Sequence, residues 1–465
     1  MSLRIVEWLR AAEGATRPEH PDLAAALVRR WRELPEGVRT PSQLLGRRIA
    51  GCEGTQGVFP ACNLACTPCY HSREANRVPV DGEHTVAAVD AQMRLARELR
   101  GPSQHAQLIG GEVTLLGPEA HASALEAMIR HGRKPMSMTH GDFDYDYLEA
   151  LALDPQTGRP RFRHLSFAGH FDSTMHGRRG IKRAHSESEL NPERKRFCEM
   201  FERLRSEHGI SSYLAHNMTV TPRNLDQVAG VIGECREYGF RMFSFQPAAF
   251  VGNPSRWKEE YRSFSDEDVW REVQRGAGGR LHWRVLQFGD PRCNRTAYGG
   301  YLGGRYWPLL DEDDPRELRM RDSYIAGFGG LDSNSPLPLL ALRLARAAAR
   351  EPHLVPRAIG FAGRLLGRMG GLAALARGRP RAVTFAMHSF MDARVVRPAW
   401  EALERGERAE EPEVRASQER LEACMYGMAH PEEGRMVPAC VQHSVLDPQQ
   451  NPRLAELLGR RGGAA

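Results

Sequence analysis

From about Gly51 to Gly252 the chain repeats one pattern. A short apolar or β-branched run is followed by a polar or glycine-rich break, then by a longer stretch with apolar residues at helical spacing. The runs at 56–60, 105–109, 134–139, 162–168, 211–220 and 240–246 read as strands, and intervals such as Ala87–Leu99 and Leu225–Tyr238 as amphipathic helices. Six such units in alternation predict an α/β fold on a parallel sheet, spanning 51–252. Residues 1–50 read as a helical N-terminal cap, with Leu23-Ala24-Ala25-Ala26-Leu27-Val28 ahead of a loop at Pro35 and Pro41. Beyond 252 the periodicity fades. Residues 253–335 are rich in Trp, Tyr, Gly and Arg and are expected to form an irregular lid or substrate region. Residues 336–381 place leucines and alanines at helical spacing with arginines between them, and 382–465 form a C-terminal block that carries cysteines.

Composition narrows the class. With 41% hydrophobic and 26% charged residues the chain is an ordinary folded protein, and no apolar run is long enough to predict a membrane-spanning helix. The start, Met1 to Trp8, carries an early acid and lacks an apolar signal core, so a cytoplasmic location is expected. Nine cysteines, an odd number in a long chain, fit reduced thiols and metal ligation better than a disulfide framework. The net charge of +6 is concentrated: 336–381 holds nine arginines against the single acid Glu351, leaving −2 for the rest. A general nucleic-acid surface is therefore not expected. Most basic amphipathic helices cover a core with a solvated charged face; the sharper reading of 336–381 is a peripheral contact with anionic lipid headgroups.

The chemistry lies at Cys62-Asn-Leu-Ala-Cys66-Thr-Pro-Cys69-Tyr70. Three thiolates on one tight loop can hold three irons of a [4Fe–4S] cubane and leave the fourth without a protein ligand, open to bind and reduce another molecule. A structural zinc site would show a second C-x₂-C knuckle, and a ferredoxin-like carrier a fourth cysteine; neither follows here. The next strand tip runs into Gly110-Gly111-Glu112, where glycines permit close backbone approach and a carboxylate can accept from an ammonium.

The two motifs together resemble those of the radical S-adenosylmethionine (SAM) superfamily. The resemblance implies a partial (β/α)₆ barrel with ligands at the C-terminal strand ends. It implies a [4Fe–4S] cluster on Cys62, Cys66 and Cys69 whose open iron chelates SAM, and contacts from Gly110, Gly111 and Glu112 to the SAM amino group. It further implies reductive cleavage of SAM to a 5′-deoxyadenosyl radical that abstracts hydrogen from an unactivated C–H bond, and a reductant such as flavodoxin or ferredoxin. Ser166 or Asp172 at the fourth strand could touch the ribose. His216 and Asn217 at the fifth could reach SAM or substrate, and Gln246 ends the sixth.

The segments Thr384–Ala393, Cys424-Met425-Tyr426 and Gly434–Cys440 resemble the C-terminal block of the radical SAM group containing tetraether lipid synthase and cobalamin-independent methylases. Phe245–Gly252 and Pro291-Arg292-Cys293 resemble that group too. Departures are an extra Pro431-Glu432-Glu433 and a Glu-Gly where the group has Asp-Gly. From this resemblance and the basic segment, a lipid-like substrate and C–C bond formation or alkylation are expected. Cys293, Cys424 and Cys440, with Cys52 or His443, could ligate an auxiliary Fe–S cluster or a single iron, while Cys198 and Cys235 sit in helical patterns as buried apolar residues. Two other readings stay open: a peptide maturase with auxiliary clusters, and a non-catalytic iron–sulfur or membrane-associated scaffold.

Overall fold

The computed structural model describes residues 20–71, 74–102, 104–252, 254–327 and 337–462. The first part of the expected cap, 1–19, lies outside them. The cap's described part is helix α1 (Pro21–Glu33), opened by His20 Nδ1 accepting from the Asp22 amide. Leu23, Ala26, Leu27 and Ala50 form a small apolar seam beneath it.

Six strands then follow in chain order: β1 (Cys52–Gly54), β2 (Gln104–Leu108), β3 (Arg133–Thr139), β4 (His164–His170), β5 (Ser211–Val220) and β6 (Met242–Pro247). Helices separate them: α2 (Gly82–Arg100), α3 (Pro118–Arg130), α4 (Tyr145–Ala152), α5 (Asn191–His208) and α6 (Val228–Cys235). Each strand pairs parallel with the next, as the alternation predicts. Local signals set the helix ends: Asp81 caps α2 by accepting from the His84 amide, and Gly101 stops it at φ 71°.

One strand is misplaced in the sequence reading. The first ladder runs through Cys52–Gly54, not 56–60. Val58 and Phe59 are buried as their apolar character requires, but in a loop, because the Phe59 and Ala61 carbonyls accept from the amides of Gly111 and Glu112 instead of from a strand.

The region expected to be irregular is more regular than its composition suggests. It contains α7 (Asp266–Ala277), the antiparallel hairpin β7 (Asn294–Leu302) and β8 (Arg305–Pro308), and α8 (Pro315–Gly327). Three basic helices come next, α9 (Leu337–Arg350), α10 (Leu354–Arg368) and α11 (Gly371–Arg377). The C-terminal block then runs β9 (Arg381–His388), α12 (Ala393–Glu404), α13 (Pro412–Glu422), β10 (Tyr426–His430), β11 (Arg435–Pro438), a short α14 (Ala439–Val441) passing into a π-turn at Gln442–Leu446, and α15 (Asp447–Gly462).

These late strands extend the sheet at both ends. Its order is β8-β7-β9-β6-β5-β4-β3-β2-β1-β10-β11. β9 lies parallel to β6 and β10 parallel to β1, so the six-stranded barrel segment grows by one parallel strand on each side. Among the described residues no ladder joins β8 to β11, and the barrel stays open.

Side-chain alternation divides the sheet into two faces. On β4 and β5, Leu165, Phe167, Leu214, His216 and Met218 face the helices, where Phe167, Phe197, Phe201, Phe240, Phe243 and Phe385 pack as linked aromatic pairs. Each buried ring contributes roughly 1.5–3 kcal/mol. The alternate residues, Ser166, Ala168, His170, Ala215, Asn217 and Thr219, line a cavity of about 1750 Å³ on the concave side.

Candidate functional site

The loop after β1 carries Cys62, Cys66 and Cys69 to the cavity wall, where all three are lining residues. Its conformation is held from several sides. Ala65 and Cys66 form a two-residue antiparallel ladder with Met175 and His176, just past β4. The Leu64 amide donates to Cys62 Sγ at 3.3 Å, and the buried guanidinium of Arg256 donates to the Cys66 carbonyl at 3.0 Å. Arg178, also buried, donates to the carbonyls of His140 and His170 at 2.6 Å each, tying the ends of β3 and β4 together beside Cys66.

Gly110-Gly111-Glu112 closes over this loop. The amides of Gly111 and Glu112 donate to the Phe59 and Ala61 carbonyls at 2.9 Å. A Cβ on Gly111 would lie 1.9 Å from the Ala61 oxygen, so only glycine fits the approach. The glycines thus bring backbone against the cysteine loop. The Glu112 carboxylate is buried; its Oε1 accepts from Thr114 N, Thr114 Oγ1 and Thr139 Oγ1, and its Oε2 from the His140 amide at 2.8 Å. Burial pushes its pKa up, but the nearby His140 and these hydrogen bonds outweigh that and hold it below the usual carboxylate range. It remains an anion at the cavity wall, with acceptor capacity left on Oε2.

The other expected contacts divide. Ser166 and Asn217 face the cavity, Ser166 within 3.3 Å of His164 Nε2. Asp172 does not line it. Its carboxylate is turned inward, taken by His170 Nε2 (2.7 Å), the Thr219 amide (2.9 Å) and the amide and hydroxyl of Thr174. Burial raises its pKa, but His170 and these donors prevail and bring it down to about 2. The cavity-facing residue at this position is His170, which Asp172 orients. His216 lies on the helix side, accepting from Arg194 Nε at 3.0 Å, because it alternates with Asn217 along β5.

Cys293, Cys424 and Cys440 line the same cavity from three separate segments, and Cys52 lines it as well. Arg420 Nε donates to Cys293 Sγ at 3.1 Å, and the Cys424 thiol donates to the Tyr426 carbonyl at 2.9 Å. The two sets of thiols share an electrostatic state. Burial is the main cause that pushes Cys62 up to about 12, Cys66 well above its ordinary value, Cys293 to about 11 and Cys440 to about 12, with Cys69 and Cys424 raised too. Within each set neighbouring thiols add to the rise: Cys69 and Cys62 for Cys66, Cys424 and Cys293 for Cys440. Thiolates form in such places when a metal cation compensates them. Cys198 and Cys235 are buried among apolar residues as expected.

Tyr70 joins the two halves of the wall. Its ring lies on that of His443, centroids 4.1 Å apart, and His443 Nδ1 pairs with Asp447 Oδ2 at 2.8 Å. Arg178, Arg256 and His170 escaped the sequence reading, since a lone arginine or histidine outside a motif carries no local signal. Among the described residues, several buried polar atoms at the cavity have no hydrogen-bond partner: Gln246 Oε1, Ser389 Oγ and the Tyr426 hydroxyl. Such orphans call for a ligand or water. Three thiols on one loop, an anionic Glu112 and these open polar groups fit an iron–sulfur cluster with a polar co-ligand beside it.

Neither a protein-family model nor a curated protein matches the sequence. Among solved structures, native anSMEcpe with bound AdoMet shares 16% identity at a TM-score of 0.30, over 48% of this chain and 57% of that one. TYW1 with a lysine-pyruvate adduct bound shares 11% at a TM-score of 0.31, over 47% of this chain and 72% of that one. The match spans little more than half of the anSMEcpe chain.

Proposed function

We propose that the chain is a radical SAM enzyme. The observation that supports this most is the joining of Cys62, Cys66 and Cys69 to Gly110-Gly111-Glu112 by backbone hydrogen bonds, at the C-terminal ends of parallel strands and facing one large cavity. When bound there, a [4Fe–4S] cluster and SAM supply reductive cleavage of the sulfonium to a 5′-deoxyadenosyl radical. The chain's own residues bind, orient and exclude water. Cys62, Cys66 and Cys69 hold the cluster; Glu112 offers an anionic acceptor to the amino group; Ser166, Asn217, His170 and Gln246 offer polar contacts around the rest of SAM or the substrate. Arg178 and Arg256 place positive charge beside the loop.

The substrate in this reading is hydrophobic and lipid-like. Met136, Met138, Met242, Leu286, Leu309 and Leu310 line the cavity beyond the cysteine loop, where a long apolar group would replace water. C–C bond formation or alkylation is the outcome we assign, with a flavodoxin- or ferredoxin-type reductant. The second thiol set supports an auxiliary iron site on Cys293, Cys424 and Cys440.

Anaerobic reconstitution with iron, sulfide, dithionite and SAM tests the assignment. The expected product is 5′-deoxyadenosine, detected by mass spectrometry. A fully loaded cluster that yields none would overturn the enzyme reading in favour of a scaffold.

A further inference from the structure

Helices α9 to α11 bury little of their apolar surface. From Leu337 to Arg377, Leu354 is the one fully buried side chain among the described residues. Their attachment to the body is largely polar. Arg364 and Arg368 of α10 reach inward to the buried Glu317 carboxylate of α8, at 2.5 and 3.1 Å, and Arg357 donates to Ser323 at 2.6 Å. The large apolar residues stand outside instead: Leu342 at 52% exposure, Leu344, Val355, Ile359 at 69% and Leu372 at 72%. Five of the ten exposed large hydrophobics among the described residues fall in this one segment. Exposed apolar side chains are thus concentrated in this segment.

Charge says what would cover it. Helices α9–α11 carry seven arginines against Glu351 alone, Arg379 follows them, and the side chains of Arg350 and Arg379 are exposed with no hydrogen bond or ion pair among the described residues. A second copy of this chain would set cation against cation. No helix among the described residues is long and apolar enough to cross a membrane, so these helices would meet a bilayer at its surface. The segment also borders the cavity, which Phe361 of α10 and Tyr324 of α8 line.

We propose that the outer face of α9–α11 docks on an anionic lipid bilayer. Val355 and Ile359, one helical turn apart on α10, and Leu372 enter the headgroup boundary, and Arg350 and Arg379 meet lipid phosphates. This stands apart from the radical chemistry, because it is read without turnover.

The test is co-sedimentation of the full chain with phosphatidylcholine vesicles, with and without phosphatidylglycerol. Binding is expected to require the anionic lipid and to weaken as salt rises. Arg350→Glu with Arg379→Glu, and separately Ile359→Asp with Leu372→Asp, are each expected to lower partitioning roughly tenfold or more. All four positions are exposed, so circular dichroism and 5′-deoxyadenosine formation should be unchanged. Equal binding to neutral vesicles, no binding to anionic ones, or variants that bind like the parent would overturn the proposal. So would a dimer in analytical ultracentrifugation that Ile359→Asp dissolves, which would make the face an interface between copies.

Discussion

Two sets of three cysteines face one cavity, and the chain assembles them in opposite ways. Cys62, Cys66 and Cys69 come from a single loop, so their spacing alone brings the thiols together. Cys293, Cys424 and Cys440 come from the approach to β7, the approach to β10 and α14, and line the one cavity because β9 and β10 extend the sheet at its two ends. The first set is held by backbone: the ladder to Met175 and His176 and the clasp of Gly111 and Glu112. The second is braced by Arg420 on the Cys293 sulfur and by the Cys424 thiol on the Tyr426 carbonyl. The first set needs only its own loop, whereas the second depends on the packing of three separate segments.

The largest expected effect separates the two directly. Replacing Cys62, Cys66 and Cys69 with alanine abolishes 5′-deoxyadenosine formation, while the same triple change at Cys293, Cys424 and Cys440 leaves cleavage of SAM and lowers only the iron content. Iron and sulfide assays complete that pair: more than about four irons in the parent, falling to about four in the second variant. A parent that never exceeds about four, with none bound by the first variant, removes the auxiliary site.

Acid should act unequally. Burial holds His121, and His388 beside the second set, at about 4, below the value near 6.5 of an unfolded histidine. The unfolded chain therefore binds more protons between pH 6.5 and 4, and stability falls as pH drops through that window, by up to about 3 kcal/mol for fully buried His121. Asp172, beside the first set at about 2, keeps its contribution until pH falls below the unfolded value near 3.9. Chemical denaturation at a series of pH values checks this, and His121→Gln should flatten the upper part of the curve.

Smaller, local changes sharpen the same contrast. Gly111→Ala drives a Cβ into the Ala61 carbonyl, and Gly289→Ala, at φ 78°, drives one to 2.3 Å from the Ala423 carbonyl. Each should cost about 1–3 kcal/mol in denaturant melts. The first should lower cluster loading at Cys62, Cys66 and Cys69; the second should spare it.

The contrast also explains what the sequence made legible. The parallel core was readable because each strand–helix unit is local: Ser211–Val220 lies where its apolar pattern put it. The cysteine loop and Gly110-Gly111-Glu112 were readable because their spacing is their chemistry. Strand β1 was misread since Val58 and Phe59 look like a strand but are buried beneath Gly110 and Gly111. The hairpin β7–β8 is local, turning at Gly303-Gly304, but lies in a stretch without clear periodicity. The strands β9 and β10 were hidden for another reason: their ladders to β6 and β1 join segments far apart in the chain, which no local period records. Asp172 was assigned to the cavity from its place at a strand end, yet it turns inward toward Thr174, Thr219 and His170.

The central claim is that Cys62, Cys66 and Cys69 hold a cluster with one iron open to SAM. Electron paramagnetic resonance of the dithionite-reduced protein, recorded without and then with SAM, tests it most directly. The account predicts a reduced-cluster signal that changes shape when SAM is added and that vanishes in the Cys62, Cys66 and Cys69 variant. A cluster signal indifferent to SAM, or one that persists in that variant unchanged, would contradict it.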